Sequence, residues 1–136
     1  MEYDLVAQSL ERAIEKTMDG PTEGDISPAL YQRFFKDSPE SEELMSHMDP
    51  IALGNMTAEL IRLVLLERYT DEQEYLNWEI ENHRNAYSVM ANMYVPLMAT
   101  LISLVQEILG EDWNQEYASA WKQRSNLLLT EINQRF

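Results

Sequence analysis

The sequence predicts an all-α fold of six or seven helices of unequal length. Apolar residues recur with helical spacing almost from end to end. The breaks between those stripes carry helix-stop and helix-start residues. An alternating strand pattern, an Asn-Gly hairpin turn and an internal repeat are all missing from the sequence.

Val6, Leu10, Ala13 and Ile14 form one stripe on a first helix over residues 2–18, which Gly20-Pro21 ends. Ser27-Pro28 starts a second helix, with Ser27 as cap and Pro28 in the first turn. Ile26, Ala29, Leu30 and Phe34 then face inward. Ser38-Pro39 interrupts, and a short third helix runs from Glu40 to Met45. Asp49-Pro50 repeats the cap-then-proline signature ahead of a stripe of Leu53, Met56, Leu60, Leu63 and Val64. The spacing of Thr70 and Gln73 is that of a capping box, and the helix it opens turns Leu76, Ile80, His83 and Tyr87 inward. A break over Asn92 to Pro96 precedes the apolar helix of Leu97, Leu101, Leu104 and Ile108, which Gly110 closes. Asp112 caps a last helix carrying Trp113, Tyr117, Trp121, Leu128 and Ile132. Apart from Asp19 to Gly24 the loops are short, and nothing marks a domain boundary, so residues 1–136 read as one domain with one core.

Composition narrows the function classes. A hydrophobic content of 45% fits a folded globular chain. The longest mostly apolar stretch, Met93 to Val105, is shorter than the roughly 20 residues of a membrane span. The opening Met-Glu-Tyr-Asp is acidic and does not resemble a signal peptide. With no cysteine, thiolate metal sites and thiol catalysis are out, and a cytoplasmic location is the default expectation. The formal net charge of −14, with the basic residues scattered, argues against nucleic acid or an anionic membrane as a partner. A di-iron carboxylate bundle needs Glu-x-x-His pairs. Ile80 stands three residues before His83 and Leu44 three before His47, so both fail. The zinc-protease, nucleophile-elbow and phosphate-loop motifs are missing as well.

Only two histidines remain as metal ligands, His47 and His83. A neutral imidazole facing an apolar pocket can hold a haem iron, provided its second nitrogen finds an acceptor. For His83 that acceptor is Tyr94, a backbone carbonyl or Glu79. The plainer reading is a partly exposed helix histidine between Asn82 and Arg84. His47 lies at a bend beside Asp49 and reads as a surface residue. Tyr31 reads equally as an amphipathic-helix tyrosine with its ring buried and its hydroxyl at the surface. Met45 and Met56 are flexible gap-fillers or iron ligands.

Four stretches, taken in order, resemble the globin family, and most of all its single-domain and flavohaemoglobin-type bacterial members. They are Leu30-Tyr-Gln-Arg-Phe-Phe35 with Ser38-Pro-Glu40; Gly54 to Leu65; Asn82-His83 with Tyr94; and Leu97-Met-Ala-Thr-Leu101 with Leu109-Gly110 and Ala120-Trp121. The resemblance spans about Asp25 to Glu131. It implies a three-over-three helical sandwich around haem b, with His83 as the proximal iron ligand and Tyr94 supporting it. It implies Tyr31 as the distal hydrogen-bond donor, Met56 where many globins place a histidine or glutamine, and Leu60 as the distal wall. Met45, Ile80 and Leu97 complete the haem-contacting set. The chain departs from the pattern at Met45, where a phenylalanine usually stacks on haem, and at Glu79, where leucine is usual. His83 and Tyr94 are also one residue further apart than in the flavohaemoglobin type.

The function this resemblance implies is reversible binding of dioxygen, nitric oxide or carbon monoxide for storage, scavenging or sensing. A haem-free globin-fold interaction or regulatory module is the alternative. Nitric oxide dioxygenation with a separate reductase is a third reading, and a homodimer is left open.

Overall fold

A computed structural model of the protein describes residues 2–66, 68–87 and 89–136; the side chains of Glu2, Tyr3 and Tyr87 are not described, so the inward orientation expected of Tyr87 lies outside the described residues. Among the described residues the chain is helical, without a strand. Seven α-helices follow one another: α1 (Glu2–Thr17), α2 (Ser27–Asp37), α3 (Pro39–Leu44), α4 (Pro50–Val64), α5 (Gln73–Tyr87), α6 (Tyr94–Leu109) and α7 (Gln115–Asn133). Short 3-10 turns precede α5 and α6 and follow α6.

The helix starts show which local signals win. Asp49 caps α4 as its spacing dictates, its carboxylate accepting from the Ala52 amide at 2.8 Å. Ser27 is not the cap of α2. Ile26 holds that position, and Ser27 already lies in the helix with its amide and hydroxyl both donating to the Asp25 carboxylate, at 2.9 and 2.6 Å. The expected capping box at Thr70 and Gln73 is replaced by a 3-10 turn, Tyr69–Glu72, because the Tyr69 ring is pulled into the core and α5 starts only afterwards. Asp112 likewise does not cap α7. It sits in a 3-10 turn and pairs with Lys16 at 2.7 Å. The cap is Asn114, which accepts from the Tyr117 amide at 2.8 Å.

The core lies between α1, α6 and α7, with α2 packed across α6, α3 and α4. Val6, Leu10 and Ala13 of α1 meet Leu101, Leu104, Val105 and Leu109 of α6 and Trp121 and Leu128 of α7, all buried. The indole of Trp121, fully enclosed, donates to the Ser9 hydroxyl at 2.8 Å, and Ser9 donates onward to the Val6 carbonyl at 2.7 Å. One indole thus ties α7 to α1 and leaves no polar atom of the pair unmatched. Arg124, 2% exposed, donates from Nε to the Val64 carbonyl at 2.7 Å and places its guanidinium 5.0 Å from the Tyr69 ring centroid. It satisfies a carbonyl left open at the end of α4.

With its flanking turns, α6 forms a helical segment, Ala91–Asp112, of 22 residues, long and apolar enough by length and composition to cross a membrane. That is longer than the apolar run Met93 to Val105 suggests, because α6 continues to Leu109 and a 3-10 turn adjoins it at each end, while Pro96 in the first turn does not break the helix. Here its inner face is core. Helix α5 is different. Leu76 and Ile80 are buried, yet among the described residues its backbone makes few close approaches to the other helices.

Trp121→Ala should destabilise the fold by about 3–5 kcal/mol, the range for emptying a large buried site. Urea unfolding followed by circular dichroism measures it, and a loss below about 1 kcal/mol would contradict this account of the core.

Candidate functional site

Two clefts open where α5 stands away from its neighbours. One, about 230 Å³, is walled by Tyr31 of α2, by Met56, Leu60 and Leu63 of α4, by Leu76, Ile80 and His83 of α5, by Leu97 of α6 and by Leu128 and Ile132 of α7. The other, about 280 Å³, lies toward α3 and is walled by Phe34, Leu44, Met45, Met48, Val89 and Met93, with His47 and Asn82 beside them. Met56, Glu79, His83, Tyr94 and Leu97 line both, so the two meet along one boundary. All eight candidate residues, Tyr31, Met45, Met56, Leu60, Ile80, His83, Tyr94 and Leu97, line at least one cleft. Among the described residues the charged lining residues are Glu59 and Glu79, and no Lys or Arg faces either cleft.

His83 sits on the boundary, with 22% of its side chain exposed. Its Nδ1 lies 2.7 Å from the Tyr94 hydroxyl, and its Nε2 lies 2.8 Å from Oε1 of Glu79, one turn earlier on α5. A carboxylate only accepts, so Nε2 carries the proton and Nδ1 accepts from the Tyr94 hydroxyl. Burial lowers the imidazole's pKa from its usual value of 6.5 and so favours the neutral ring, against the opposing pull of Glu79. Burial, and then the Glu79 charge, raise the Tyr94 phenol well above its usual range, so it stays a donor. The two rings lie nearly parallel with centroids 6.2 Å apart, and Phe136 meets the far side of Tyr94 edge-on at 5.9 Å.

Tyr31 is held by an aromatic cluster, edge-on to Phe34 at 6.2 Å and tilted against Phe35 at 5.6 Å. It is 2% exposed, and its hydroxyl has no hydrogen-bond partner. The Thr57 side chain faces it, but that hydroxyl donates to the Leu53 carbonyl at 2.9 Å and forms no bond of normal geometry with the phenol. Burial raises the Tyr31 pKa to about 12. An ordinary surface-reaching tyrosine would not leave this donor orphaned.

Sequence reasoning did not find the polar brace at the other end of α5. Tyr75 donates to Glu59, Arg62 binds the same carboxylate at 3.2 Å and reaches Glu72 at 2.5 Å, and its guanidinium lies 4.8 Å from the Tyr75 ring centroid. The spacing of Tyr75, Glu79 and His83, four residues apart each time, is the signal that places all three on one face of α5. Their partners on α4 and α6 are tertiary and leave no such trace.

No protein-family model and no curated protein matches this chain. The functional case therefore rests on the residues of the site.

Two outcomes follow from this geometry. Because burial lowers the His83 pKa in the folded protein, the unfolded chain takes up the proton first as pH falls through the usual imidazole value, so stability should decline there. His83→Gln should flatten that part of the pH–stability curve, and an unchanged slope would count against a buried neutral ring. Tyr31→Phe removes an unsatisfied hydroxyl, so the ligand-free protein should unfold at the same or a higher temperature. A loss of several degrees would mean that the phenol has a partner.

Proposed function

We propose that this chain is a haem-binding protein of globin type that reversibly takes up a diatomic gas. The observation that carries the reading is a buried phenol with no partner, Tyr31, on the wall of the same apolar cleft as the imidazole His83. A distal donor and a proximal nitrogen, separated by aliphatic walls, are what a haem site asks of an all-helical fold. The helix order, the packing of α1 on α7 and of α2 on α4 and α6, and the gap along α5 support the three-over-three arrangement.

The donor set suits the group. His83 would hold the iron, Tyr94 would fix the ring from its other nitrogen, and Met45, Met56, Leu60, Ile80 and Leu97 would meet the porphyrin faces and edge. Haem iron, when bound, supplies the centre at which a gas coordinates. The chain supplies the rest: leucine and isoleucine walls keep water from the pocket, and the Tyr31 hydroxyl donates a hydrogen bond to a polar diatomic ligand. That bond favours dioxygen over the less polar carbon monoxide by about 1 kcal/mol. Storage, scavenging and sensing all draw on this chemistry, and nitric oxide dioxygenation would add a separate reductase as partner.

One observation favours a second reading, a haem-free interaction module. Glu79 holds the nitrogen that iron would need. An absorption spectrum separates the two. Reconstituted protein should show a Soret band that shifts with carbon monoxide, and His83→Ala without added imidazole should lose it. Tyr31→Phe should release dioxygen about five- to tenfold faster, with little change for carbon monoxide. No haem uptake by the wild-type chain or by a variant with Nε2 freed would leave the interaction module.

A further inference from the structure

Resting on the haem-binding reading, we propose that Glu79 is a built-in competitor of iron for His83 Nε2 and sets how readily the chain takes up its cofactor. Glu79 and His83 are one turn apart on the same face of α5, and the Glu79 carboxylate accepts from Nε2–H at 2.8 Å. With Nδ1 accepting from Tyr94 at 2.7 Å, both ring nitrogens are satisfied, and neither offers a free lone pair to a metal. Iron coordination through Nε2 requires that the Tyr94 hydroxyl turn its own hydrogen away from Nδ1, so that its oxygen can accept, and two further changes in the chain's own groups. The Glu79 carboxylate must swing off the ring, and the imidazole proton must move from Nε2 to Nδ1, where it would be donated to the Tyr94 oxygen. Glu79 has a route out: 24% of its side chain is exposed, and it lines both clefts, so rotation about its own side-chain bonds carries the charge toward water without unwinding α5. Among the described residues the rest of the lining offers its carboxylate no Lys or Arg, and inside the cleft it bonds the imidazole.

The proposal makes Glu79 a positioning residue that selects the imidazole tautomer. It is tested in two measurements on the full chain. Nitrogen-15 NMR of the haem-free protein should show His83 protonated at Nε2, and Glu79→Leu should move the population toward the Nδ1-protonated form. Titration with haemin, followed by the Soret absorbance, should show Glu79→Leu binding about tenfold tighter than wild type, the scale of one charge-assisted hydrogen bond at a partly exposed site. Glu79→Gln, which keeps the shape and loses the charge, should fall between them and serves if the leucine variant does not fold. Equal affinities in variants that all bind haem would overturn the competitor role and leave the haem reading intact. Nδ1 protonation in the wild-type apoprotein would overturn it as well. If wild-type and variant proteins all fail to bind, the haem reading is lost and the competitor with it.

Discussion

A helix kept off its neighbours needs something to hold it there, and α5 is held at both ends by polar struts and in the middle by two apolar side chains. At its start, Tyr75 and Glu72 reach Glu59 and Arg62 on α4. Near its end, His83 meets Tyr94 on α6, and Arg84 donates to the carbonyls of Arg135 and Phe136 at 3.2 and 3.4 Å. Between them Leu76 and Ile80 are buried. Directional bonds at the ends fix a separation that apolar contact alone would close, because non-directional burial favours the smallest gap. The clefts are the result of that contest.

An apolar gap forfeits dispersion contacts on its lining, so the site is held open against the tendency of the core to collapse. The rest of the molecule offsets this. The seam of α1, α6 and α7 is fully buried along its inner faces and carries its own internal hydrogen bond through Trp121 and Ser9. The packed seam and the clefts are thus separated spatially: the first sits where helices touch, the second where one of them stands off. The unpartnered Tyr31 hydroxyl faces the second region; two other buried polar atoms without a partner, the Tyr69 hydroxyl and one Arg124 nitrogen, lie outside the two clefts.

The helices were legible because amphipathic spacing and proline-bearing starts are local, as Asp49-Pro50 shows with a cap formed by those very residues. Starts that a tertiary contact decides were not. Tyr69 is drawn into the core and converts the expected first turn of α5 into a 3-10 turn, while Asn114 displaces Asp112 because Lys16 on α1 claims that carboxylate. The same split runs through the site. Residues one turn apart on α2, α4 and α5 could be placed on common faces from the sequence. Which nitrogen of His83 faces Glu79 could not, since it depends on how α6 presents Tyr94 to the ring. The Glu59 and Tyr75 contact joins side chains 16 positions apart and is invisible to any local pattern.

Arg124 lies on α7 and lines neither cleft, yet it fastens the last turn of α4 through the Val64 carbonyl and braces Tyr69, from which the chain turns into α5. Shortening that side chain would free both anchor points at once and let the wall carrying the imidazole tilt. The shape of the clefts therefore depends on a residue that lines neither of them, and their walls could be altered from outside.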